Sequence, residues 1–283
     1  MPIWNKAYHG NCWGALGGEP VGVTSVKNLF YRTFGDIQRA IVDIAEAGYQ
    51  AIELFDGNLV EHEGKLTEFR KELDHAGLSL LAVYSGGNFI FPEILPEELW
   101  RMRKAADLGA ELGARHFVVG GGAKRTVPAT DEDYARLAAT LDQITDLAAE
   151  RGLLAHYHPH LTTMAETPEQ IRKVFDLSKI CFCPDTAHLA AGGGNPAKLI
   201  LEHADRIKYV HLKDFRPDPF TFLPLGKGEL DMNGILEALI TIKYEGWIAV
   251  ELDAYENPKA GAEISMRYLT DFEKRSNPQK SHV

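Results

Sequence analysis

Short apolar or β-branched runs alternate with amphipathic stretches from one end of this chain to the other, eight of each, and few folds accommodate that rhythm. The apolar runs are Ala7–Cys12, Ala51–Phe55, Ser79–Val83, His116–Val119, Leu153–Tyr157, Ile180–Cys183, Ile207–Leu212 and Trp247–Leu252. Between and after them, helical periodicity predicts helices over Asp36–Ala47, Lys65–Ala76, Glu97–Leu112, Asp131–Arg151, Pro168–Phe175, Pro196–Ala204, Asn233–Lys243 and Ala260–Lys274. Thr167-Pro168 and Asn195-Pro196 have the chemistry of helix starts, a capping side chain followed by proline at the first helical position. Ala47-Gly48, Ala76-Gly77, Leu112-Gly113 and Arg151-Gly152 read as helix ends. Strands that strictly alternate with helices form a parallel sheet, and eight such units are the number that closes a barrel. The predicted fold is therefore α/β, a single (β/α)8 TIM barrel with a parallel eight-stranded barrel spanning residues 1–283. A doubly wound open sheet is the competing architecture, but no G-x-G-x-x-G follows the first strand.

Composition removes several function classes. The formal net charge is −10 and the basic residues are scattered singly along helices, so no phosphate-tracking stripe exists and nucleic acid is not expected as a partner. No run approaches the roughly 18 apolar residues of a membrane span. Met1 to Gly10 lacks the apolar core of a signal peptide, and Cys12, Cys181 and Cys183 do not form a disulfide framework, so a cytoplasmic location is expected. Cys181 and Cys183 share one strand face and read as small buried hydrophobes. A homo-oligomer remains compatible with the sequence.

In a barrel of this kind the chemistry sits at the carboxyl ends of the strands, and those ends carry the unusual residues. The second run holds Glu53, the third is followed by Tyr84, and the fifth ends His156-Tyr157-His158-Pro159-His160. The sixth ends Pro184-Asp185-Thr186-Ala187-His188, the seventh His211-Leu212-Lys213-Asp214, the eighth Glu251-Leu252-Asp253. Side chains alternate along a strand, so His156, His158 and His160 share a face, as do His211 with Lys213 and Glu251 with Asp253. An imidazole or carboxylate at the same end of four consecutive strands exceeds what packing requires. Imidazole mixed with carboxylate, without a cysteine cluster, suits a borderline divalent metal: Mn²⁺, Co²⁺, Zn²⁺ or Fe²⁺. The long first connection, residues 13–35, falls on the catalytic face and reads as a lid. The glycine runs Gly120–Gly122 and Gly192–Gly194 read as backbone room beside a ligand.

With these residues the chain resembles the xylose isomerase-like barrel superfamily, which includes sugar phosphate isomerases and epimerases, inosose dehydratases and endonuclease IV, and the resemblance covers nearly the whole length. "CPDTAHL" is similar to that family's D-T-x-H, and "YVHLKD" and "GWIAVELD" match its last two strand ends. The resemblance implies a metal held by His158, Asp185, His211 and Glu251. At strand five the epimerases carry Glu where this chain has His158, whereas "YHPHLTT", "GNCWGAL" and "PLGKGELD" look like the inosose dehydratase subgroup. The loss of that Glu breaks a symmetric two-carboxylate proton exchange and favours β-elimination, which uses a base and an acid of different character.

The resemblance therefore implies a metal-dependent enzyme that removes a proton beside the carbonyl of a keto-sugar or inosose and expels water, a carbohydrate lyase. Glu251 is the expected base; His188, His160 or Lys213 would hold or protonate the departing oxygen. Trp13, Glu53, Tyr84 and Asp214 are expected substrate contacts. Lys213 has an alternative reading as the ion-pair partner of Asp214. Three other functions compete: a keto-sugar isomerase or 3-epimerase, a DNA-repair endonuclease, against which the acidic charge counts, and a sugar-binding barrel without turnover.

Overall fold

The computed structural model describes residues 3–13, 24–27, 30–33 and 35–276. Eight parallel strands line the barrel: β1 (Lys6–His9), β2 (Ala51–Phe55), β3 (Ser79–Gly87), β4 (His116–Gly121), β5 (Leu154–His158), β6 (Cys181–Phe182), β7 (Tyr209–Leu212) and β8 (Trp247–Val250). Each is hydrogen-bonded to its neighbour in the order β6-β5-β4-β3-β2-β1-β8-β7. The parallel bridges Phe182–Ile207 and Asp185–His211 join β6 to β7 and close the circle.

Alternation explains the two apolar layers. Outward residues such as Tyr8, Ile52, Leu54, Phe117, Val119, Tyr157, Val210 and Ile248 pack beneath the helices. The helix Ile37–Glu46 meets them with Ile37, Ala40, Ile41 and Ile44, the i, i+3, i+4, i+7 spacing of one helical face. Burying each large aliphatic side chain there contributes roughly 1.5–3 kcal/mol. The inward set is smaller and mostly compact: Ala7, Ala51, Ala82, Val118, Cys183 and Ala249. These small residues leave room for three large polar ones in the same layer. Tyr209 stacks on His116 at 4.7 Å, and His116 Nδ1 lies 2.9 Å from His156 Nε2.

The expected helix starts are present. Thr167 and Gln170 form a reciprocal capping box, and Asn195 accepts from the Lys198 amide. The strand-helix rhythm missed several short elements. The first strand ends at His9, where a 3₁₀ turn, Gly10–Trp13, bends the chain over the barrel rim. Helices Asp56–Val60 and Thr186–Ala191 follow β2 and β6 directly and are too short to show a periodicity. A hairpin, Asp214–Pro217 with Phe220–Leu223, follows β7. Of the 13–35 segment read as a lid, residues 14–23, 28–29 and 34 lie outside the described residues. The described part contains an antiparallel pair, Thr24–Lys27 with Phe30–Thr33, whose second strand is tied to the barrel by two hydrogen bonds between Thr33 and Asn58. No helix among the described residues is long and apolar enough to cross a membrane.

Candidate metal centre and active site

At the carboxyl ends of β5 to β8 the inward alternation brings His158, Asp185, His211 and Glu251 together, each buried and each offering a ligand atom within 4.8 Å of the others. Asp185 is placed by its own helix. Its Oδ1 accepts from the Ala187 and His188 amides, both at 2.9 Å, and caps Thr186–Ala191, which leaves Oδ2 for the cluster. His158 Nε2 lies 3.5 Å from Asp185 Oδ2 and 3.8 Å from Glu251 Oε2. His211 stands between two carboxylates, with Nδ1 2.6 Å from Glu251 Oε2 and Nε2 3.0 Å from Glu53 Oε2.

These residues fit a divalent cation on the site's own chemistry. His158 Nε2 and Asp185 Oδ2 are buried side by side without a hydrogen bond, an expensive arrangement for polar atoms that have no ligand to meet. Three carboxylates, those of Asp185, Glu251 and Asp253, surround one buried ammonium, Lys213, and a fourth, Glu53, stands behind His211. Lys213 Nζ reaches Glu251 Oε1 at 2.8 Å and Asp185 and Asp253 at 3.3 Å. Burial opposes the charge of His211, yet Glu53 and Glu251 outweigh it and raise the ring to about 10. Burial would likewise raise Glu251, but Lys213 and the two flanking histidines hold it well below the usual carboxylate range. The excess negative charge is thus met by protons that a metal would displace.

Beside the cluster a cavity of about 670 Å³ opens, walled by Asn11, Tyr84, His160, Glu251 and Asp253 among others. His160 donates from Nδ1 to the Leu161 carbonyl at 2.7 Å, which leaves a lone pair on Nε2 of the neutral ring. Burial first, then His158, lowers its titration to about 4. The His160 ring lies 3.7 Å from that of His188. His188 Nε2 lies 3.3 Å from Lys213 Nζ, and Phe222 of the hairpin covers both. The glycine run at the end of β4 borders the cavity through Gly121 and Gly122, and a Cβ at Gly120 would lie 2.0 Å from the Tyr84 hydroxyl. Gly192–Gly194 is corrected: Gly192 packs against Glu166, Gly194 against Leu189 and Pro168, and the run is absent from this wall.

Three expected substrate contacts are corrected as well. Trp13 packs outward, its ring edge-on to Tyr8 and its Nε1 donating to Asp43 at 3.0 Å. Asp214 is fully buried and accepts four backbone amides, from Phe215, Gly226, Gly228 and Leu230, which fixes the 214–230 loop. It is therefore also not the ion-pair partner of Lys213. Glu53 lies beneath the cluster, bonded to His211 and to the Tyr209 hydroxyl at 2.7 Å, and does not wall the cavity. Tyr84 does. Sequence reasoning passed over Asn11, whose amide donates to Glu251 Oε1 and Asp253 Oδ1 at 3.4 and 3.3 Å.

The profile of the family described as xylose isomerase-like TIM barrel matches residues 41–272. An inosose dehydratase of Geobacillus kaustophilus is 28% identical over 267 residues, covering 82% of this chain and 85% of that protein. Among solved structures, a fusion of a xylose isomerase-like TIM barrel with a 4-hydroxyphenylpyruvate dioxygenase superposes with a TM-score of 0.75 at 18% identity, covering 98% of this chain and 44% of that one. This chain thus spans less than half of the fusion protein. The 3-keto-D-glucoside 4-epimerase of E. coli superposes with a TM-score of 0.72 at 19% identity, covering 95% of this chain and 99% of the other. At such identities the two structures speak to fold alone.

Proposed function

The chain belongs to the xylose isomerase-like TIM barrel family, and on that premise we propose that it is a divalent-metal-dependent carbohydrate lyase that dehydrates a keto-polyol of the inosose class. The single observation that carries this reading is the buried His158-Asp185-His211-Glu251 cluster at the edge of a polyol-sized cavity. The inosose dehydratase of Geobacillus kaustophilus, similar over most of both chains, supports the substrate class.

A divalent metal held by those four residues would supply Lewis acidity that polarises a substrate carbonyl and acidifies the neighbouring C–H. The protein supplies the rest. Glu251, on the cavity wall, is the proposed base, and His160 Nε2 is a second proton acceptor on the same wall. Lys213 is the proposed donor side: its ammonium is held on Glu251 and Asp253 and backed by His188, and it is not one of the four residues that would hold the metal. Acceptor and donor thus differ in kind, as elimination of a β-hydroxyl requires and as a symmetric carboxylate pair does not provide. Tyr84 contributes the aromatic wall, edge-on to His158 with ring centroids 5.5 Å apart.

Incubation of the Mn²⁺-supplemented protein with a keto-inositol in D₂O tests the reading. The expected product has lost one water. Deuterium incorporation with the composition otherwise unchanged would overturn dehydration and assign an epimerase or isomerase.

A further inference from the structure

We infer that Glu53 is a positioning residue for metal binding, acting through His211 rather than on the substrate; the inference rests on the reading of the cluster as a metal centre. Glu53 is wholly buried on the inward face of β2 and is absent from the cavity wall. A buried carboxylate is tolerated only with donors around it. Here both donors come from β7. The Tyr209 hydroxyl donates to Oε2 at 2.7 Å, and His211 Nε2 donates to the same oxygen at 3.0 Å.

His9 faces the other oxygen. Its Nδ1 accepts the Asn11 amide at 3.1 Å, so the proton of the neutral ring is on Nε2, 3.6 Å from Glu53 Oε1. Oε2 thus accepts two hydrogen bonds, while Oε1 has none and faces only the His9 ring, and the carboxylate does not reach the cavity wall. Its consequence falls on His211. With Nε2–H committed to Glu53, the nitrogen facing Glu251, Nδ1, is the one left for a metal, and the ring plane is fixed from below. A carboxylate behind an imidazole both orients the ring and raises its basicity as a ligand. Glu53→Gln keeps the shape but removes the charge and places an amide N–H₂ against Tyr209 or His211.

The test uses Co²⁺ alone, with affinity measured by chelator competition and the ligand field read from the visible spectrum of the loaded full-length protein. Glu53→Gln is expected to weaken Co²⁺ binding by roughly 10–100-fold and to shift the spectrum. Tyr209→Phe, which leaves the carboxylate on His211, is expected to lose much less affinity and to keep the wild-type spectrum. Wild-type affinity and spectrum in Glu53→Gln would overturn the inference. So would equal losses in both variants that follow thermal stability, since that is the mark of a merely structural residue. Failure of the wild-type protein to bind Co²⁺ would instead overturn the metal reading itself, and the inference with it.

Discussion

Lys213→Met removes the ammonium buried among the site's carboxylates while nearly preserving side-chain volume. In the metal-free protein the loss strips Glu251 of a 2.8 Å contact and Asp185 and Asp253 of contacts at 3.3 Å. Breaking a buried ion pair from one side costs about 3–5 kcal/mol, because the remaining charge has no counterpart. The cost is limited by proton uptake. Burial already raises Asp253 to about 6 against the pull of Lys213, and without that pull it rises further. A carboxylate whose folded pKa exceeds its unfolded value loses stability as pH climbs from the unfolded pKa through the folded one. The gap between variant and wild type should therefore widen from pH 5.5 to pH 8. For a domain of this size 1 kcal/mol shifts Tm by about 2–4 °C, so a drop of roughly 6–20 °C is expected at pH 8. Thermal unfolding of the metal-free proteins at both values measures it. Added Mn²⁺ should narrow the gap, since the cation restores positive charge to the same carboxylates. A Tm unchanged by the substitution, or a gap independent of pH, would refute the electrostatic reasoning.

Three further outcomes follow from single contacts. Asp214→Asn turns a donor toward the Gly226 and Gly228 amides, both at 2.9 Å, and should cost roughly 2–4 kcal/mol in chemical denaturation while lowering kcat/KM through the loop that carries Phe222. Asp56 is buried, accepts the Ser85 hydroxyl at 2.5 Å and is raised by burial to about 7. The wild type should lose stability relative to Asp56→Asn as pH rises from about 4 to about 7, by at most roughly 4 kcal/mol, and parallel pH profiles of Tm would contradict this. His160→Ala should lower kcat by roughly 10²–10⁴-fold while leaving Co²⁺ affinity unchanged, because its ring lies outside the four-residue cluster.

The site was legible where it follows from a period of two. Once β5 to β8 are strands of one barrel, His158, Asp185, His211 and Glu251 must face inward at the same end, and they do. What the sequence concealed depends on closure and on turns. Glu53 and His211 stand 158 residues apart and meet only across the barrel, so the strand-end position of Glu53 suggested a substrate contact when its ring of donors lies below the cavity. Asp214 follows Lys213 on the chain, yet the two diverge: Lys213 faces the interior carboxylates and Asp214 turns toward the amides of its own loop. No periodicity announces a four-amide loop anchor. Trp13, read as the first residue of a lid over the cavity, sits instead on the 3₁₀ turn Gly10–Trp13, which sends its ring outward to Tyr8 and Asp43.

The most direct test of the central claim is mass spectrometry of a keto-inositol incubated with chelator-stripped protein and with the same protein reloaded with Co²⁺. The account predicts a product lighter by one water that appears only with the reloaded protein and is lost in His158→Ala. Equal product from the stripped protein, or undiminished product from His158→Ala, would contradict it.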